Sequence, residues 1–102
     1  MNKFILYVGL NDKVTKTQLI DTLTAYNLVN NLILNYVDGV TITQGKGIYK
    51  HQNGNITIEN TFIIELLFTD KTTVNTIADD LKRILNQESI AIQELKVDSY
   101  LY

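Results

Sequence analysis

The chain has 102 residues, with nine Lys or Arg against eleven Asp or Glu, a formal charge of -2, and neither cysteine, proline nor tryptophan. That length supports one domain, residues 1–102, with a modest core. The charge balance offers no basic field for neutralising phosphates, so no nucleic acid is expected as partner, and the lack of cysteine excludes disulfides and thiolate metal sites.

Residues 3–10 alternate Phe4, Leu6, Val8 and Leu10 with Ile5, Tyr7 and Gly9. Both sets are mostly apolar, which predicts a central strand covered on both sides. Asn11-Asp12-Lys13 is a polar break, after which Thr15 and Gln18 fit a capping box. A helix is predicted over 16–36, on the spacing of Leu19, Leu23, Tyr26, Val29, Leu32, Ile33 and Tyr36, with Asp38-Gly39 as its stop. Two strand-like runs, 40–50 and 56–68, then flank Gln52-Asn53-Gly54. A two-residue turn at Asn53-Gly54 would set Ile48 opposite Glu59 and Ile42 opposite Glu65. A three-residue loop pairs Ile48 with Ile58, Ile42 with Ile64 and Val40 with Leu66. The second register is preferred, because only Gln44, Lys46 and Asn60 then interrupt one apolar face. Thr69-Asp70-Lys71-Thr72 opens a second helix with the stripe Val74, Ile77, Ala78, Leu81, Ile84 and Leu85. On its outer, solvated side Asp79 is placed to pair with Arg83. Asn86–Ser89 reads as a loop, and 90–97 as the last strand, with Asp98–Tyr102 extending it or lying on a neighbour.

This order predicts an α+β chain: a ferredoxin-like βαββαβ sandwich, with a four-stranded antiparallel sheet, two helices on one face and an extended hairpin joining the second and third strands. A second helix of about 15 residues is roughly 22 Å long and covers about seven strand residues. The hairpin is longer than that. Its distal Ile48, Tyr49, Ile56 and Ile58 lie beyond the reach of the chain's own helices, so a homo-oligomer, dimer or trimer, is expected. No apolar run approaches the roughly 18 residues of a membrane span and no signal peptide is apparent, so a cytoplasmic protein that engages no membrane is expected.

Candidate ligand-binding residues gather around the hairpin. Lys46, between Gly45 and Gly47, could meet an anion; Tyr49 could stack; Glu59 and Asn60 offer an acceptor and an amide edge. Asn11, Asp12 and Lys13 follow the first strand and could close the site. The same residues also read without a ligand: the glycines as a bulge where the hairpin leaves the core, and 11–13 as a helix-entry turn. His51 is the sole histidine, at the hairpin tip, so no metal site is expected. With no cysteine and no histidine near a placed nucleophile, no catalytic residue, cofactor or enzymatic activity is expected.

Leu10-Asn11-Asp12-Lys13, Gly45-Lys46-Gly47-Ile48-Tyr49, Ile58-Glu59-Asn60-Thr61 and Asn86-Gln87-Glu88-Ser89 resemble segments of small uncharacterised proteins encoded by phages of low-GC Gram-positive bacteria. That resemblance implies a host cytoplasm as the setting. A more distant similarity, in element order and the long hairpin, is to PII-like signalling proteins, which implies trimers that bind nucleotides between subunits. The basic residues near the last helix and strand and the Arg-rich C-terminal motif of that family are missing, so the architecture carries over and the phosphate ligand does not. The function expected is a non-enzymatic oligomeric binding protein, holding a small metabolite or nucleotide at a subunit interface. The alternative is an interaction protein that binds and inhibits a host protein.

Overall fold

A computed structural model describes residues 1–102. Its elements are β1 (Asn2–Gly9), α1 (Thr22–Ile33), β2 (Thr41–Lys50), β3 (Ile56–Leu66), α2 (Lys71–Ile84) and β4 (Ala91–Lys96). The strands form one antiparallel sheet in the order β2-β3-β1-β4. That is the expected ferredoxin-like α+β arrangement.

Alternation along the strands decides which face is covered. Phe4, Leu6 and Val8 of β1 and Phe62, Ile64 and Leu66 of β3 point one way and are buried. They share a core with Ala25, Val29 and Ile33 of α1 and Val74, Ile77 and Leu81 of α2, so both helices roof the same side. The opposite side, with Ile5, Tyr7, Ile63 and Leu95, carries no helix, and Tyr7 and Leu95 are exposed. The expectation that β1 is covered on both sides therefore fails within one chain: its odd-numbered residues lie on a bare face.

The hairpin adopts the three-residue register. Ile48 pairs with Ile58 and Ile42 with Ile64, while Val40 falls just before β2, whose first residue, Thr41, faces Glu65. At the tip the His51 N–H donates to the Asn55 carbonyl at 2.7 Å, and Gly54 takes φ +89, a left-handed conformation that glycine adopts without steric cost. The ladder runs from Thr41 to Lys50 without interruption, so no bulge marks Gly45-Lys46-Gly47. Beyond Phe62 the helix side of the hairpin loses its roof, leaving Ile48, Ile56 and Ile58 66%, 64% and 59% exposed. The overhang makes the molecule elongated, 47 × 26 × 22 Å.

The first helix starts later than expected. Asp12 Oδ1 accepts the N–H groups of Val14 and Thr15, at 2.8 and 3.1 Å, and Asn11 pairs with Gln18 in an isolated bridge. This folds 11–18 into a closed loop, with Lys16 at φ +61, and the Thr15–Gln18 box does not form. Asp21 caps α1 instead, accepting the Thr24 N–H at 2.9 Å. Leu19 and Leu23 are consequently exposed rather than in the core. Tyr36 lies past the helix end, and its hydroxyl donates to Asp80 of α2. Asp80 is thus not on a purely solvated face, and the expected Asp79–Arg83 pair is replaced by Asp79–Lys82 and Asp80–Arg83, at 3.7 and 3.1 Å. Val97 to Tyr102 form no strand; Tyr100, Leu101 and Tyr102 are exposed, and Leu101 lines a shallow hollow with Val40 and Phe68. No helix is long and apolar enough to cross a membrane.

Candidate functional site

Side chains alternate across a strand, so Glu59 and Asn60 cannot share a face. Neither can Lys46 and Tyr49, three residues apart. Lys46 and Asn60 lie on the helix side, where the Lys46 ammonium donates to Asn60 Oδ1. Asn60 Nδ2 donates to Gln18 Oε1 at 2.7 Å, with Thr22 Oγ1 at 3.4 Å. This pair ties the hairpin to the entry of α1. The four hairpin residues expected in one site are therefore split between two faces.

Tyr49 and Glu59 remain together on the bare face. With Asn11, Asp12, Lys13, Lys16, His51, Thr57, Gln87, Glu88 and Ser89 they line a hollow of about 400 Å³ at the carboxyl end of β1. One wall is the distal hairpin, where the Tyr49 and His51 rings meet edge-on at 4.9 Å and His51 Nε2 lies 2.6 Å from Thr57 Oγ1. The other wall is the 11–18 loop and the connection from α2 to β4. These two segments are fastened together: Gln87 Nε2 donates to the Asn11 carbonyl at 2.6 Å, and Lys13 N–H to the Asn86 carbonyl at 3.0 Å.

Glu59 is the residue that the fold positions most specifically. Its Oε2 accepts the Asn11 N–H at 3.1 Å. The carboxylate lies over Gly9, where a Cβ would come within 2.5 Å of Cδ and both oxygens. Gly47, on β2, leaves similar room beside it: a Cβ there would stand 3.0 Å from Thr61 Oγ1 and 3.6 Å from Glu59 Cγ. The two glycines thus leave room on the sheet beside Glu59, whose carboxylate lines the hollow.

Asp12 has a different task. It is buried, and its two oxygens are taken by Val14, Thr15 and Asn86 Nδ2, the last at 2.7 Å. The Asn86 bond foremost, then the Thr15 and Val14 N–H groups and the Lys13 charge, holds its carboxyl below the usual range. Asp12 builds the loop that carries Lys13 and Lys16, and both of its oxygens are engaged within the chain. Lys16, His51, Thr57, Gln87, Glu88 and Ser89 were not among the residues expected from sequence. His51 and Thr57 share the parity of Tyr49 and Glu59, which is a usable signal; the others require the tertiary fold. No three His, Asp or Glu side chains gather as a metal ion would require. The chemistry on offer is a carboxylate, amides, hydroxyls, lysines and an aromatic ring.

A protein-family model matches residues 3–99, nearly the whole chain. The chain belongs to the DUF3574 family. The description of DUF3574 is "Protein of unknown function", so membership fixes kinship and no activity. No curated protein matches this chain. Among solved structures it is similar to a phage SAM lyase in complex with S-methyl-5'-thioadenosine, with TM-score 0.66 and 19% identity over 93% of this chain and 80% of that one. It is also similar to the periplasmic divalent cation tolerance protein CutA from Archaeoglobus fulgidus, with TM-score 0.62 and 17% identity over 99% and 88%. CutA1 from Oryza sativa gives TM-score 0.60 and 14% identity over 99% and 84%. Such likenesses show a shared fold, in agreement with the architecture that the PII-like resemblance implied. They also correct the expectation of a protein that is not an enzyme: a lyase is among the proteins built on this fold.

Proposed function

We propose that this DUF3574 chain is an oligomeric lyase that holds S-adenosylmethionine in the hollow beside Glu59. The observation that carries the reading is the Glu59 carboxylate, hydrogen-bonded to the Asn11 N–H, seated over Gly9 and lining a polar hollow. A sulfonium bears a full positive charge on sulfur. A fixed carboxylate in a partly enclosed site attracts that charge and orients the atom that carries it. Lyase cleavage breaks the bond from sulfur to the amino-acid chain. Sulfur keeps the electron pair and leaves as the neutral thioether S-methyl-5'-thioadenosine, while the carbon it leaves bonds to an oxygen of the substrate's own carboxylate, closing a lactone. Tyr49 offers a ring face for the adenine and Asn11 and Ser89 offer polar groups for its edge or the ribose.

The likeness to a lyase solved with that thioether supports the reading, as does the size of the hollow, within the range of about 300–1,000 Å³ usual for small-molecule sites. The bare sheet face supports assembly, since Tyr7 and Leu95 are exposed there beside half-buried Ile5 and Ile63, and another copy would cover them. A phage source, with action in the host cytoplasm, belongs to the same reading.

The test is to incubate the purified chain with S-adenosylmethionine and separate the products by chromatography. The thioether is expected, and Glu59→Gln, which keeps the shape and removes the charge, is expected to slow its release by about a hundredfold or more. Wild-type protein that forms no thioether, and gives no heat when titrated with S-methyl-5'-thioadenosine, overturns the proposal.

A further inference from the structure

The charged side chains around the hollow form no ion pairs with one another. Glu59 stands on the sheet floor and Glu88 on the connection after α2; Lys13 and Lys16 stand on the 11–18 loop. The ion pairs of the chain are Lys3–Glu65, Lys71–Glu94, Lys82–Asp79 and Arg83–Asp80, and none of them includes these four residues. Lys46, the cation that the sequence suggested for an anionic group, is on the other face and engaged with Asn60. The hollow therefore presents the Glu59 carboxylate on its sheet floor and, on the opposite wall, the two ammonium groups of Lys13 and Lys16 together with the single carboxylate of Glu88.

We infer that Lys13 and Lys16 form an anion subsite that takes the carboxylate of an amino-acid moiety, while Glu59 faces the cationic part of the same ligand. This rests on the reading of the hollow given above and names the part of the ligand that the reading left unassigned. The loop is built to hold the two lysines in place. Lys16 N–H donates to the Asp12 carbonyl and Asp12 N–H to the Thr17 carbonyl, both at 2.8 Å, and Lys13 N–H is fastened to Asn86. Lys16 sits in the left-handed region at φ +61, a conformation that is uncommon outside glycine, Asn and Asp and that this hydrogen bonding maintains. Both side chains are exposed and form no ion pair or side-chain hydrogen bond; the one charge acting on Lys13 is the neighbouring Asp12, whose oxygens are already engaged by Val14, Thr15 and Asn86. A bare nucleoside would leave these ammonium groups unused; a nucleoside carrying an amino acid engages both ends of the hollow.

S-methyl-5'-thioadenosine and S-adenosylhomocysteine share the adenosyl thioether and differ by the amino-acid moiety, and neither is a sulfonium that the enzyme could cleave. Calorimetric titration of the full chain with both compounds separates the two parts of the site. Lys13→Gln combined with Lys16→Gln is expected to weaken S-adenosylhomocysteine about tenfold, as two rim ion pairs of modest strength would, and to leave the thioether within about twofold. Rising salt is expected to weaken only the amino-acid-bearing compound, and only in wild type. Lys46→Gln, on the opposite face, is expected to change neither. Lys13→Glu with Lys16→Glu is expected to weaken S-adenosylhomocysteine further still. If wild type binds both compounds and the double variant treats them as wild type does, or loses both equally, the inference falls and the reading of the hollow stands. If wild type binds the thioether and not S-adenosylhomocysteine, the inference also falls. If wild type binds neither, the reading falls and takes the inference with it.

Discussion

Gly9 is a glycine because another side chain occupies the space a Cβ would need. With Glu59 Cδ and both carboxylate oxygens 2.5 Å from that position, Gly9→Ala must displace the carboxylate. The carboxylate is the far end of a flexible chain, so it can swing away at little expense to the fold. The expected outcome is a melting temperature close to wild type and thioether formation slower by on the order of a hundredfold, since a shift of about 1 Å in a catalytic group can cost that much. Circular dichroism melts and the chromatographic assay read the two halves of this prediction. At this scale the sequence was legible in part. Tyr49 and Glu59 stood out by chemistry, yet Lys46 and Asn60 were grouped with them on proximity along the ladder. Parity alone separates 46 and 60 from 49 and 59, so that error was avoidable. The role of Asp12 was not legible, because its partner Asn86 lies 74 positions away.

Among the elements, hairpin register was readable from local pattern: one turn length gave a coherent apolar face and the other did not. The start of α1 was not readable in the same way. Asp12, Thr15 and Asp21 are all residues that cap helices, and the choice among them is made by the closure of the 11–18 loop against Asn86 and Gln87. The caps chosen leave a signature in pH. Backbone N–H groups of Thr24 and Thr73 hold Asp21 and Asp70 below the usual carboxylate range, and the Tyr36 hydroxyl does the same for Asp80. A folded value below the unfolded one, about 3.9, means stability that is in place above that pH and is lost as pH falls through the depressed value. Tyr36 runs the other way: its bond to Asp80 raises it, so its contribution is present below about pH 10 and is lost as pH climbs past that. The urea midpoint is therefore expected to be level around neutrality, to fall in acid and to fall again in strong alkali. Asp70→Asn keeps a capping oxygen without the charge and is expected to make the acid fall shallower; Tyr36→Phe is expected to do so for the alkaline one.

For the whole molecule, element order and right-handed crossovers were enough to predict the sheet, and the hairpin's length was enough to predict its overhang. What they did not show is that half of the apolar alternation on β1 faces away from both helices. Two uncovered surfaces result: the bare sheet face, where Tyr7 and Leu95 are exposed, and the helix side of the overhang with Ile48, Ile56 and Ile58. Sedimentation velocity is expected to show a species larger than one chain, and Ile48→Ser with Ile58→Ser to shift it toward the single chain. Wild type that sediments as one chain at high concentration would contradict this expectation.

The three residues at the hairpin tip reach further than their position suggests. Since β3 is anchored by β1, a turn closed over Asn53-Gly54 alone would slide β2 by one residue, bringing Ile48 beside Glu59 and carrying Tyr49 to the roofed side. An aliphatic wall would then replace an aromatic one with every lining residue of β3 and the loops untouched. The turn is a remote control over what the hollow can recognise.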